Sequence, residues 1–142
     1  QGLLADCWLL SAIAVVALHP ALLRHIFDQA DATLASGRVV LQLWVDGEWE
    51  RVHVDDMLPC DEEGRLLYAR SHTVHEMWVP LLEKAFAKHA GSYGALDGGQ
   101  TAWAFLALTG DPAFKLVRRA ADAPGGADPE PPPVKVCTSP PS

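Results

Sequence analysis

Gln1-Gly2-Leu3-Leu4-Ala5-Asp6-Cys7-Trp8 decides how this chain is read, because it sets a carboxamide ahead of a cysteine that opens a strongly apolar run. Asp6 suits a helix N-cap, and Cys7 then takes the first helical position, followed by Trp8, Leu9, Leu10, Ala12, Ile13, Val15, Val16 and Leu18. A helix apolar on nearly all sides is expected to be buried. His19-Pro20 ends it. The run from Trp8 to Leu18 falls short of the roughly 18 to 20 residues that cross a bilayer, so no transmembrane segment is expected. A thiol is nucleophilic as thiolate, and the partial positive charge of a helix N-terminus favours that form. If Gly2 to Ala5 fold back tightly, the backbone N–H of Cys7 and the side-chain amide of Gln1 together offer two donors to an oxyanion. Taken alone, Cys7 reads first as a small buried hydrophobe, which is what most free cysteines are.

Working outward, Leu22, Leu23, Ile26 and Phe27 are spaced for one face of a second short helix, Ala21 to Phe27, and Asp31 to Gly37 reads as loop. From Arg38 the pattern turns to strand. Val39 to Val45 and Glu48 to Val54 flank Asp46-Gly47, a strong hairpin signal. Pro59 stops pairing, Gly64 marks a turn, and Arg65 to Tyr68 suggests a further short strand. Trp78, Leu81, Leu82, Ala85, Phe86 and His89 then predict a helix with Pro80 in its first turn and Gly91 just past its end. A loop over Gly94 to Gly99 leads to another helix, with Thr101 as its cap and Gly110 closing it. Ala113 to Arg118 is ambiguous. The fold class is therefore α+β, helix-rich with one β-hairpin.

With 142 residues, 49% of them hydrophobic, the chain is long enough for one domain with a sizeable core. Residues 1–119 form that domain, and residues 120–142, rich in Pro and Gly, are expected to be a disordered linker or tail. A net charge of −7 without a run of Lys or Arg argues against nucleic acid or an anionic membrane as the main partner. Cys7, Cys60 and Cys137 make an odd count with no CxxC pair, which favours a reducing compartment, and cytoplasmic localisation is expected. Gln1 follows neither a basic leader nor an initiator Met, so the domain reads as cut on its N-terminal side from a larger protein.

Four collinear blocks give the chain a resemblance. Gln1-Gly2-x-x-x-Asp6-Cys7-Trp8, Gly47-Glu48-Trp49, Val54-Asp55-Asp56-Met57-Leu58-Pro59, and Leu81 to Lys88 continuing into Gly91-Ser92-Tyr93-x-Ala95-Leu96-x-Gly98-Gly99 resemble the calpains, calcium-dependent papain-like cysteine proteases. They cover residues 1 to about 110 and look like the first lobe of the protease core, not the complete two-lobe core. The resemblance implies Cys7 as nucleophile of an acyl-enzyme and Gln1 as oxyanion donor, acting on protein substrates. It also implies calcium, with Glu76 as a carboxylate ligand in this lobe and a partner aspartate upstream of Gln1. Glu76 equally suits a helix's first turn, where the macrodipole favours an acid. Asp55-Asp56 reads as a structural turn, because adjacent strand residues point to opposite faces. Calpains usually carry Gly where this chain has Ala5, which fits only if position 5 needs no positive φ.

A cysteine protease needs a base within hydrogen-bond reach, and papain-like enzymes place His and Asn roughly 130 to 150 residues after the Cys. The last histidine here is His89, on a helix face where a packed or surface role is expected. His53, His72 and His75 have no base-like context, and the pair His72 and His75 lacks further metal ligands. The expected partner is thus a second lobe carrying His and Asn, without which the chain is inactive. The alternative is a non-catalytic calpain-like interaction or scaffold module.

Overall fold

Asp46 and Gly47 both take positive φ, 50° and 92°, the type I′ combination whose twist matches the strands it joins. That turn sets the register of an antiparallel hairpin, β1 (Arg38–Val45) and β2 (Glu48–Asp55), with Val45 opposite Glu48 and Arg38 opposite Asp55. Period-two alternation then turns Leu41 and Leu43 of β1 and Val52 and Val54 of β2 into the core. At the turn end Trp44 and Trp49 are cross-strand partners, edge to face at 5.4 Å, and His25 meets Trp49 at 4.5 Å.

The computed structural model describes residues 2–27, 36–71, 76–115 and 135–136. Around the hairpin stand four helices, α1 (Cys7–Val16), α2 (Pro20–Ile26), α3 (Trp78–Ala90) and α4 (Thr101–Thr109), with a 3-10 turn at Gly94–Leu96. A two-residue pair, β3 (Phe114–Lys115) with β4 (Lys135–Val136), completes the described elements. The architecture is α+β, as expected. α1 packs on α4, α3 on β2 and α4 on β1, so Leu9, Ile13, Leu41, Leu82, Phe86 and Leu108 meet in one core.

α3 is tied to the hairpin by its lysines. Lys84 Nζ donates to the Asp55 backbone oxygen at 3.1 Å, to Asp55 Oδ1 at 2.6 Å and to the Met57 carbonyl, and Lys88 donates to the His53 carbonyl. The Lys84 ammonium holds the Asp55 carboxyl below its ordinary range, and the same carboxylate accepts the Met57 N–H at 2.9 Å. Asp55-Asp56 is thus the structural turn expected of it.

Three expectations differ from what is found. α1 is not buried on all sides: Leu9, Ala12, Ile13 and Val16 face the core, while Val15 is 46% exposed and Leu18, beyond the helix end, 75%. A helix packed on one layer buries one face, however apolar the other is. Arg65 to Tyr68 forms no strand, only a bridge between Leu66 and Cys60. Asp61 prevents more, because its carboxylate gathers the N–H groups of Glu63 and Arg65 and the Arg65 guanidinium into a tight turn. Thr101 begins α4 but caps nothing, and Gln100 holds the N-cap position.

Most of the loop expected at Asp31 to Gly37 lies outside the described residues, as does the expected tail 120–142 apart from Lys135–Val136. Among the described residues no single helix is long and apolar enough to cross a membrane; α1 and α2 pass that test only as a pair bent by 119°.

Replacing Gly47 by Ala tests the turn. No other atom lies within 4 Å of the added Cβ, so the loss reads backbone strain alone. It should be about 1–2 kcal/mol in urea unfolding.

Candidate functional site

Cys7 is exposed at the first position of α1, where the opening N–H groups of a helix have no partner in the preceding turn. The loop that delivers it is held from three directions. Leu3 donates its N–H to the Leu67 carbonyl at 3.0 Å, Ala5 donates to Asp97 Oδ1 at 2.8 Å, and the Ala5 carbonyl accepts the Gly98 N–H at 3.2 Å. Beyond the cysteine, Trp8 Nε1 donates to the Leu96 carbonyl at 3.0 Å. Its ring packs against Gly99, where an added Cβ would stand 2.4 Å from Trp8 Cε2. The segment from Leu96 to Gly99 is therefore the mould into which residues 5 to 8 are set. Ala5 has no positive φ, so a methyl group in place of the expected glycine is accommodated without strain.

Asp6 departs from its expected role. It occupies the N-cap position, yet its side chain makes no cap bond and is 0% exposed, turned inward rather than over the helix end. Its partner is Glu83 of α3, itself 1% exposed, whose two oxygens accept the Ala69 N–H at 3.2 and 3.0 Å. Burial, and after it the hydrogen bond with Asp6, raise the Glu83 carboxyl to about 8. Sequence reasoning missed this residue. The signal was there: Glu83 lies three and four positions before Phe86 and Ala87, a charge set on the apolar face of its helix.

The other candidate residues are dispersed. Glu76 is exposed before α3 and accepts a 2.6 Å hydrogen bond from the Ser71 hydroxyl. Calcium takes six to eight oxygens, and among the described residues no three His, Cys, Asp or Glu side chains gather to hold a metal. Glu76 and Ser71 alone do not fit the ion. Gln1, His72, His75 and Cys137 lie outside the described residues. His53 is exposed on β2, and His89 is exposed near the end of α3, bordering an open cavity of about 760 Å³ walled by Trp8, Trp44, Phe86 and Trp103. Among the described residues no histidine hydrogen-bonds to Cys7.

The sequence profile described as calpain family cysteine protease matches residues 1–124. The calpain-1 catalytic subunits of Rattus norvegicus and Homo sapiens are each 46% identical over 112 residues, 78% of this chain and 16% of theirs. Calpain-12 of Homo sapiens is 44% identical over 112 residues, 78% of this chain and 15% of its own. The chain thus spans about a sixth of the length of these relatives.

Gly99→Ala should push Trp8 off its seat, costing about 1–3 kcal/mol and shifting tryptophan fluorescence. Gly94→Ala, whose Cβ meets only the Ser92 hydroxyl at 3.8 Å, should stay within about 0.5 kcal/mol of the parent protein.

Proposed function

This chain belongs to the calpain family of cysteine proteases, and on that premise we propose that it is the nucleophile-bearing lobe of a calcium-dependent endopeptidase. The observation that carries the reading is the exposed Cys7 thiol at the head of α1, on a loop clamped by Leu67, Asp97 and Gly98. A free, fixed thiol facing solvent is what acyl transfer requires, whereas a packing cysteine would be covered.

Cys7 gives its thiol proton to a histidine, and the thiolate Sγ attacks the scissile carbonyl carbon. The carbonyl π electrons move onto oxygen, and the oxyanion is met by the Cys7 backbone N–H and the Gln1 carboxamide. Collapse breaks the C–N bond, the leaving amine takes a proton from the same histidine, oriented by an asparagine, and water then cleaves the thioester. Histidine and asparagine belong to a second lobe, without which this chain does not turn over. Glu76 is this chain's share of a calcium site that needs further oxygens from outside the described residues. The substrates are proteins, and the setting is the cytoplasm, which the odd cysteine count with no CxxC pair favours.

Two measurements test the reading. With iodoacetamide at pH 6 to 7, Cys7 should be alkylated about tenfold or more faster than Cys60 and Cys137; equal rates would remove the nucleophile assignment. Millimolar calcium should raise the melting temperature of the full-length protein, and Glu76→Gln should shrink that shift. An unchanged shift in the variant takes Glu76 out of the site.

A further inference from the structure

Asp6 and Glu83 are two acids buried against each other one residue behind the nucleophile, and the chemistry proposed for Cys7 uses neither. Asp6 is 0% exposed, and among the described residues no donor that stays protonated at neutral pH reaches either of its carboxylate oxygens. Its remaining neighbour is the Glu83 carboxyl, which donates a hydrogen bond only while it holds a proton. Two facing carboxylates without that proton would repel in a medium that screens them poorly.

We propose that Asp6 and Glu83 share a proton, and that this shared proton is the pin fixing the first turn of α1, with Cys7 on it, to the middle of α3. The inference rests on the reading of Cys7 as nucleophile and names Asp6 and Glu83 as its positioning residues. The Asp6 carbonyl already accepts the N–H groups of Leu9 at 2.9 Å and Leu10 at 3.1 Å, so displacing residue 6 displaces the start of the helix. The Ala69 N–H, on the other side of Glu83, supports either protonation state.

Among the described residues the surroundings leave Glu83 as the group that titrates here. Tyr93 faces it from beyond α3, stacked at 4.2 Å on Tyr68, and burial together with the Glu83 charge raises it to about 12. On the hairpin side Asp55 is held ionised by Lys84. Folding lifts the Glu83 carboxyl from 4.5 to about 8, so across that window the folded state binds a proton that the unfolded chain has released. Stability conferred by the pair is complete below about 4.5 and is lost as pH rises towards 8.

The experiment compares full-length parent protein, Glu83→Gln and Glu83→Ala. Gln keeps the shape, donates to Asp6 through its amide N–H and accepts from Ala69, all without titrating. Melting temperature from pH 5 to 9 should fall more steeply in the parent than in Glu83→Gln, by several degrees over the range. Parallel slopes overturn the shared proton. Alkylation of Cys7 at pH 6.5 should slow about tenfold in Glu83→Ala and return to within about twofold of the parent in Glu83→Gln. A Glu83→Ala protein that alkylates at the parent rate overturns the positioning role. If Glu83→Ala does not fold, alkylation of Glu83→Gln decides that role in its place. Held by its pin, it should exceed the parent rate at pH 9; equal rates there overturn the role. A parent Cys7 no faster than Cys60 would instead sink the nucleophile reading, and the melting slopes would still decide the pair.

Discussion

The constraint on which the rest of the structure depends is a carboxyl buried in the middle of a helix. An acid as deeply covered as Glu83, 1% exposed, costs several kcal/mol unless it is neutralised and hydrogen-bonded. The fold answers by bringing Ala69 to one side and Asp6 to the other. From that fixed point α3 reaches the opposite way. Lys84, the next residue, binds Asp55 and Met57, and one turn on Lys88 binds the His53 carbonyl. One helix therefore sets the position of the loop carrying Cys7 on one flank and of the hairpin on the other.

Much of this fold is legible from local chemistry. Asp46-Gly47 names its own turn, because few other pairs take positive φ twice in succession, and with the turn comes the whole register of β1 and β2. The helices follow from apolar spacing and from Gly91 and Gly110 at their ends. What pattern alone does not decide is which face of an all-apolar helix finds a partner. Val15 and Leu18 are as hydrophobic as Ile13, yet only Ile13 meets α4 and the core. Arg65 to Tyr68 fails as a strand for a different reason. Its propensity is outweighed by Asp61, whose carboxylate captures the N–H of Arg65 first.

The site is legible to a different depth. Cys7 heading an apolar helix stands in the sequence, and the structure puts it there, exposed. Asp6 is misread by the same reasoning, since a residue that fits an N-cap was expected to cap. Its carboxylate turns inward because a buried acid on α3 lies behind it, a partner 77 positions along the chain that no local pattern announces. Glu83 did carry a signal in its place on the apolar face of α3, visible once the helix is drawn as a wheel. Asp97 gave none: its bond to the Ala5 N–H joins two loops, and loops have no period.

The loop before Cys7 is held by residues of this chain alone. Leu67, Asp97, Gly98 and Leu96 each hold one backbone or side-chain group of residues 3 to 8, and all of them lie within this chain. None of these bonds needs a second lobe. Ala5 fits where the resemblance led to an expected glycine because the turn is shaped by those partners and not by backbone freedom at that position. In the proposed enzyme, then, bringing the lobes together has to supply the base and the substrate cleft, while the geometry of the thiol is already set by a cushion of packed and hydrogen-bonded residues behind it.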